Sequence, residues 1–301
     1  MPAANVKFTA PKNRTVGEPT VVKTSLFITT PDAPSAFLIS ILRDGIERSV
    51  AKAAQLGFDG VDLLIGDPDT FDSRKLEKAL ADNSVELACI NPVRMTTQFG
   101  LSLLHHDENI RRRALAKLQS VTEIAGRFKC PVSVGLIRGG AIEAKPISYT
   151  RDIFVQIMQK VCDNAQKHDV EIHVEPINRL ESNFINTTED GLEIVERVNR
   201  PNFALCMDLY HMYIEDESIK GSIMRAKDHL RHFHFSDSDR LPPGVSHGVI
   251  DFEETINALK MVKYRGFISE GLMPTGNVDE CARKTATFLK KLITQQSNAM
   301  A

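Results

Sequence analysis

The sequence predicts an α/β protein with a single-domain (β/α)8 TIM barrel, in which eight parallel strands are each followed by a helix. Short apolar or β-branched runs alternate with longer segments of helical periodicity as far as the C-terminus, and there are eight such runs. No Pro-, Ser- or Gly-rich linker divides them, and 301 residues suit one large α/β barrel. We therefore expect a polar N-terminal arm over residues 1–20, a catalytic barrel over 21–296 and a C-terminal tail over 297–301.

The strands are predicted from runs of apolar and β-branched residues that are bounded by polar or turn-forming residues. An open doubly wound sheet is the competing architecture, but it usually carries a glycine-rich phosphate loop after its first strand, and the sequence has none there. The predicted strands are residues 21–29, 60–65, 85–90, 131–137, 170–175, 203–209, 230–235 and 266–270.

The segments between these runs have the marks of amphipathic helices. In residues 109–128, apolar side chains recur at steps of three and four, and Arg and Lys occupy the opposite face. Thr187 and Asn277 each precede a helical segment that opens with acidic residues, which is typical of an N-cap. Asp107 is interpreted in the same way, as the cap that follows a loop containing His105 and His106.

Composition and charge exclude several classes of function. Lys and Arg total 37 against 39 Asp and Glu, and the net charge of -2 gives no positive surplus to bind a nucleic-acid backbone. No stretch approaches the length of a membrane span, and residues 1–20 lack the apolar segment of a secretory signal. The five cysteines are odd in number and form no CxxC pair, so we expect reduced thiols in a cytoplasmic protein with no membrane or nucleic-acid partner.

Four consecutive predicted strands deliver a polar residue near the C-terminal end, where barrels of this type collect their chemistry. These residues are Glu175, Asp208, His234 and Glu270. Converging buried carboxylates repel one another unless a cation compensates them. Three carboxylates and one imidazole suit a fairly hard divalent ion, with Mn2+ favoured and Mg2+ or Co2+ as alternatives. The pattern therefore predicts one metal site formed by these four side chains.

Each of these residues also has a simpler interpretation. A single acid at a strand end commonly caps the following helix or pairs with a cation on a loop. It is the occurrence on four successive strands that favours a shared site. On the seventh strand, His232 and His234 lie on the same face because side chains alternate with period two. We expect His232 to be a hydrogen-bonded interior residue, since His234 is nearer the rim.

The motifs VEPINR followed by Glu181, MDLYHM, HFHFSDSDRLPPG with GVIDF, and SEG resemble the sugar isomerase/epimerase family with the xylose-isomerase-like barrel. Within that family the chain resembles the ketose 3-epimerases of the D-tagatose 3-epimerase type. The stretches GLSLLHHDE, GLIRGG and FINTTEDGL strengthen a resemblance to 5-keto-L-gluconate epimerases. The resemblance extends from residue 21 to the last helix. It also implies self-association as a homodimer or homotetramer.

The resemblance implies roles for individual residues. The metal ligands agree with those expected from the strand ends, and Glu175 and Glu270 become the pair that exchanges protons with the substrate carbon. The acid, His and Arg that hold the sugar fall on Glu181, His211 and Arg240. A substrate carboxylate, as on a keto-sugar acid, requires a further cation, and Arg138 is the candidate. Arg138 can equally be part of a turn.

The expected activity is metal-dependent epimerisation at C3 of a ketose or keto-sugar acid through a cis-enediolate, with the two glutamates on opposite faces. An aldose–ketose or hydroxypyruvate-type isomerase uses much of the same barrel and remains an alternative. Endonuclease IV-type repair enzymes share the barrel but need more His ligands and a basic groove. A non-enzymatic sugar- or metal-binding barrel is disfavoured because both expected catalytic carboxylates are present.

Overall fold

The computed structural model is a closed eight-stranded parallel barrel surrounded by helices, which confirms the predicted fold class. It describes residues 22–30, 42–271, 273 and 276–298. The predicted arm over 1–20 lies outside these residues. The last helix continues to Asn298, two residues into the predicted tail, and the rest of that tail lies outside the described residues.

All eight predicted strands are present, and each pairs in parallel with its neighbours in chain order, with β1 and β8 closing the barrel. The strands are β1 Lys23–Thr29, β2 Gly60–Leu64, β3 Glu86–Asn91, β4 Val132–Val134, β5 Ile172–Val174, β6 Phe203–Asp208, β7 Leu230–His234 and β8 Phe267–Glu270. The fourth is shorter than predicted because the chain turns into a 3-10 helix at Leu136–Arg138.

Ten α-helices lie in the described residues, two more than one for each strand, because short helices follow β3 and β6. They are α1 Ile46–Leu56, α2 Ser73–Asn83, α3 Val93–Thr97, α4 Glu108–Phe128, α5 Ile147–Ala165, α6 Thr188–Val198, α7 Leu209–Glu215, α8 Ile219–Ala226, α9 Phe252–Met261 and α10 Val278–Asn298.

The predicted helix caps are confirmed by their hydrogen bonds. The Thr187 side chain accepts from the backbone N–H of Asp190, whose carboxylate accepts from the Thr187 N–H, and together they form a capping box at α6. Asp107 caps α4 by accepting from the N–H of Asn109. Asn277 accepts from the N–H of Glu280 in the first turn of α10. These caps fix where three of the outer helices begin.

The barrel interior contains a polar layer that the sequence analysis did not anticipate. Asp62 of β2 is fully buried, and its Oδ1 accepts hydrogen bonds from Ser25 at 2.6 Å and Ser269 at 2.9 Å. His232 Nε2 lies 2.7 Å from Oδ2 of the same carboxylate. Burial raises the pKa of Asp62, but interaction with His232 outweighs it and lowers the pKa. The prediction that His232 is a bonded interior residue agrees with this layer, which we call the Asp62 layer.

The structure also bears on the expectations of unpaired cysteines and of a chain without membrane spans. All five cysteines are buried, and none of them is in a disulfide bond among the described residues, as the absence of a paired spacing predicts. No helix in the described part of the chain combines the length and apolar character that crossing a membrane requires.

Candidate active site

A cavity that is partly open to solvent lies at the C-terminal ends of the strands, with about 430 Å3 of space when its open mouth is included. Its wall divides into a polar half that comes from the loops and ends of β5 to β7 and an apolar half that comes mainly from β1 to β4. The lining residues are Phe27, Leu64, Asn91, Val93, Leu136, Glu175, Ile177, Glu181, Asp208, His211, His234, Arg240 and Gly271. The cavity is thus suited to a small molecule with one polar and one apolar side.

Glu175, Asp208 and His234 meet at the base of this cavity, and we call them the carboxylate–histidine cluster. The Nδ1 of His234 lies 2.7 Å from Oε1 of Glu175 and 3.8 Å from Oδ2 of Asp208. Each continues the inward-facing alternation of its strand, because His173, Cys206 and His232 lie two residues before them and are also buried. Asp208 additionally caps α7 by accepting from the N–H of Tyr210 at 2.8 Å.

The two buried carboxylates of this cluster interact with the positive charge of His234. Burial raises the pKa of Glu175, but the positive charge and hydrogen bond of His234 outweigh it and lower the pKa. Burial lowers the pKa of His234, yet its interactions with Glu175 and Asp208 raise the pKa to about 9. Burial also lowers the pKa of His211, and the nearby positive charge of Arg240 lowers it as well. The protonated His234 ring thus supplies positive charge that two buried carboxylates require.

Glu270 does not join the carboxylate–histidine cluster. Its side chain is fully buried, and neither carboxylate oxygen has a hydrogen-bond partner among the described residues. On β8 the inward positions are Ser269, which contacts the Asp62 layer, and Gly271, which lines the cavity. Side chains alternate along a strand, so Glu270 points to the opposite face. Burial without a partner raises its pKa well above the usual value.

The structure therefore brings together three of the four predicted metal ligands. Among the residues that it describes, Glu270 belongs to no group of three His, Cys, Asp or Glu side chains whose ligand atoms lie within 4.8 Å of one another. Glu175, Asp208 and His211 form one such group, and Glu175, Cys206 and His234 form another. Cys206 and His211 were not among the predicted ligands.

The three residues expected to hold the sugar are adjacent to one another. Arg240 forms an ion pair with Glu181, and its guanidinium carbon lies 4.8 Å from the centre of the Tyr210 ring. Asn178 joins Glu181 to His211 because its amide nitrogen contacts both. Arg240 has a φ of 59°, in the left-handed region that a side chain disfavours by about 1 kcal/mol. All three line the cavity.

Arg138, which the sequence suggested as the cation for a substrate carboxylate, is not among the residues that line the cavity. It is fully buried, and its guanidinium donates to the backbone carbonyls of Gly135, Glu175, Phe184 and Ile185. Its Nε also donates to Phe184. Burial lowers the pKa of Arg138 to about 10, still above neutrality, so the group stays charged. The guanidinium has the donors of a fixed fork, and these carbonyls occupy them.

The apolar half of the cavity was not predicted from the sequence. Phe27, Leu64 and Val93 form a buried cluster with Leu136 packed against it, and the Phe27 ring meets the His234 ring at 88° with 5.0 Å between centroids. These residues lie at or within two residues of the ends of the first four strands. Apolar residues at strand ends look like core, so a search for polar residues cannot find them. Asn178 was not predicted because only the acid of the motif VEPINR, Glu175, was considered as a site residue.

Comparison with known proteins identifies the family. Residues 50–292 match the family model described as the xylose isomerase-like TIM barrel, which is more than half of the chain. The chain belongs to the xylose isomerase-like TIM barrel family. This confirms the family predicted from the motifs at the strand ends.

Curated relatives within this family are sugar epimerases, which confirms the prediction of an enzyme. The chain is 30% identical to the L-ribulose 3-epimerase of Methylomonas sp. (strain DH-1) over 75% of this chain and 77% of that one. It is 29% identical to the D-psicose 3-epimerase of Ruminiclostridium cellulolyticum over 73% of this chain and 75% of the relative. The crystal structure of a D-allulose 3-epimerase from Methylomonas sp. in complex with D-allulose matches with a TM-score of 0.74 and 24% identity, covering 91% of this chain and 98% of that one.

Proposed function

We propose that the protein is a divalent-metal-dependent 3-epimerase that inverts C3 of a neutral ketose. The observation that carries the proposal is the carboxylate–histidine cluster at the base of an open cavity whose opposite half is apolar. The named relatives, which are L-ribulose and D-psicose 3-epimerases, support the reaction and the substrate class.

The donor set fits a divalent ion such as Mn2+, with Mg2+ or Co2+ as alternatives. Glu175, Asp208 and His234 would hold it, since hard carboxylate oxygens and a neutral imidazole suit these ions. The carboxylates of Glu175 and Asp208 raise the pKa of His234 to about 9, which supports a preference of this cluster for positive charge. When bound, the ion would supply Lewis-acid polarisation of the sugar carbonyl, which would make the neighbouring C–H more acidic.

The side chains of this chain would then move the proton. Glu175 is the base on one face of C3 because it lies within the cavity and remains ionised. Glu270 is proposed as the group on the opposite face and as the fourth ligand. Its buried carboxyl has no hydrogen-bond partner in the described part of the chain and is therefore available. Because Gly271 lines the cavity and Glu270 does not, the end of β8 would have to turn to bring this carboxyl into the cavity.

The remaining polar groups would hold the oxygens of the sugar. Glu181, His211 and Arg240 line the cavity together and offer both donors and acceptors. A neutral ketose is favoured over a keto-sugar acid because the donors of Arg138 bind carbonyls, while Arg240 is already paired with Glu181. A homodimer or homotetramer and a cytoplasmic location remain predictions.

The test is incubation of the Mn2+-loaded protein in deuterated water with L-ribulose, D-psicose, D-tagatose and 5-keto-L-gluconate. We expect deuterium at C3 of a product with inverted configuration, and faster turnover of the neutral ketoses than of the acid. Removal of the ion with a chelator should abolish the exchange, and its return should restore it. The control is Glu175→Gln, which keeps the shape of the side chain but removes the base.

Other outcomes contradict the proposal in distinct ways. Deuterium at C1 or C2 with an aldose product indicates the isomerase alternative. Product formed with all substrate hydrogen retained indicates a hydride shift. Turnover of 5-keto-L-gluconate alone contradicts the choice of a neutral substrate, and activity that survives chelation contradicts the metal.

A further inference from the structure

Asn178 is a fully buried residue between two groups of the candidate site. It lies in the loop after β5, where its amide nitrogen is 2.7 Å from His211 Nδ1 and 3.2 Å from Glu181 Oε1. Its amide oxygen is 3.0 Å from the backbone nitrogen of Leu180. A buried amide with every polar atom engaged has its orientation determined by its partners.

The partners of Asn178 allow only one orientation of the amide. The backbone N–H of Leu180 can only donate, so the atom that faces it must be the amide oxygen. The carboxylate of Glu181, which lines the cavity with Arg240, accepts from the amide nitrogen. Reversing the amide would set an oxygen against the carboxylate and a donor against the N–H. The amide nitrogen therefore also faces His211.

This orientation decides which nitrogen of His211 carries the proton. The amide N–H of Asn178 donates to Nδ1, so Nδ1 must be the bare acceptor nitrogen and the hydrogen of the neutral ring is on Nε2. A hydrogen on Nδ1 would bring two donors together at 2.7 Å. The His211 Nε2 lies 3.9 Å from Asp208 Oδ2, too far for a hydrogen bond. Nothing else in the described part of the chain accepts from it.

We propose that Asn178 is a positioning residue that fixes His211 as a neutral Nε2–H donor to an oxygen of the substrate. His211 lines the cavity, and its free donor selects a carbonyl or hydroxyl oxygen that accepts. The substrate part of this inference depends on the proposed epimerase function, whereas the position of the proton on the ring does not. Asn178 itself does not line the cavity.

The test is nitrogen NMR of the Mg2+-loaded protein labelled with 15N-histidine, in which couplings to the ring hydrogens distinguish Nδ1 from Nε2. The His211 signals are assigned by their loss in His211→Gln. We expect a protonated Nε2 and a bare Nδ1. In Asn178→Asp an acceptor of the same shape replaces the donor, and the hydrogen should move to Nδ1. The matched control is Asn186→Asp, because Asn186 braces the same loop through the carbonyls of Ile177 and Ser182; it should keep the wild-type pattern.

The outcomes separate this inference from the proposed function. A hydrogen on Nδ1 of the wild-type ring, or an unchanged pattern in Asn178→Asp, overturns it. The wild-type spectrum decides alone if the variant does not fold. With an active ketose, Asn178→Asp should lower kcat/KM about 10- to 100-fold more than Asn186→Asp. If no ketose reacts while the proton is on Nε2, the proposed function fails and the positioning role of Asn178 stands.

Discussion

The strands of the barrel carry two buried carboxylates, Asp62 and Glu270, whose surroundings are opposite in character. Asp62 accepts hydrogen bonds at Oδ1 from Ser25 and Ser269, and its Oδ2 contacts His232. Glu270 follows Ser269 directly in the chain, is equally buried, and has no partner for either oxygen among the residues described. Accordingly the pKa of Asp62 is lowered and that of Glu270 is raised well above its usual value.

The difference separates a structural polar group from a functional one. A buried carboxylate with hydrogen-bond partners on both oxygens is stabilised by the protein itself. One that is buried without a partner costs free energy, and a chain retains such a cost where the group has a further use. The comparison thus assigns a stabilising role to the Asp62 layer and a chemical role to Glu270, and each assignment can be tested separately.

The largest expected effect is loss of catalysis in Glu270→Gln. Burial raises the pKa of Glu270 well above its usual value and so favours the neutral carboxyl in the metal-free protein, and a glutamine has nearly the same shape as that neutral group. We therefore expect kcat to fall about 1,000-fold while the unfolding free energy of the metal-free protein changes little. Steady-state kinetics with Mn2+ and urea unfolding measure the two quantities. A variant that unfolds easily but keeps its kcat would reverse the roles assigned above.

The next effect is a loss of stability in Asp62→Ala. This change leaves His232 Nε2 without its carboxylate partner and two serine hydroxyls without their acceptor. We expect the unfolding free energy to fall by about 3 kcal/mol, with kcat of the folded protein nearly unchanged. Denaturant unfolding and kinetics below the transition check this. A large fall in kcat at full stability would show that the Asp62 layer takes part in the reaction.

Metal affinity should depend on pH through His234, whose pKa is about 9 without the ion. The charged His234 ring stabilises the metal-free fold fully at pH values below its ordinary pKa of 6.5. This stabilisation disappears as the pH rises through about 9. A ligand ring must be neutral, so Mn2+ affinity should rise by up to about tenfold per pH unit and level off above about pH 9. Calorimetric titration in two buffers of different ionisation enthalpy detects the released proton. Affinity that does not vary between pH 6.5 and 8.5 would exclude His234 as a ligand.

The smallest effect is expected for Ser25→Ala. One hydrogen bond to Asp62 disappears, but Ser269 still donates to the same oxygen at 2.9 Å. The unfolding free energy should fall by about 1 kcal/mol, and both kcat and Mn2+ affinity should remain at the wild-type level. Urea unfolding measures the first quantity and the assays above measure the others. A loss as large as that of Asp62→Ala would mean that the two serines act only together.

The fold could be predicted because it depends on local patterns. Alternating runs and helical periodicity predicted all eight strands, and polar side chains predicted the caps at Asp107, Thr187 and Asn277. The polar half of the site followed from strand ends for the same reason. Glu175 and Asp208 continue an inward-facing alternation that begins deeper in their own strands.

The remainder depended on contacts between distant parts of the chain. Whether Glu270 or Ser269 faces the interior is decided by the register of β8 against its neighbours, and a single residue of shift reverses it. The use of Arg138 was equally hidden, because its partners are backbone carbonyls that any sequence supplies. Asp62 was missed since one acid in an apolar strand gives no sign of the serines and histidine that surround it.

The network of carbonyls around Arg138 has a consequence for motion during turnover. Its guanidinium donates to the main-chain oxygen of Glu175 at 2.8 Å and to those of Phe184 and Ile185 at 2.7 and 2.9 Å. The residue after β5 and the loop that follows are therefore bonded to the same planar, rigid group. The backbone at Glu175 therefore has little freedom to shift. Any swing of its carboxylate during a reaction cycle must come from rotation about side-chain bonds, on the fast timescale of rotamer changes rather than the slower one of loop rearrangement.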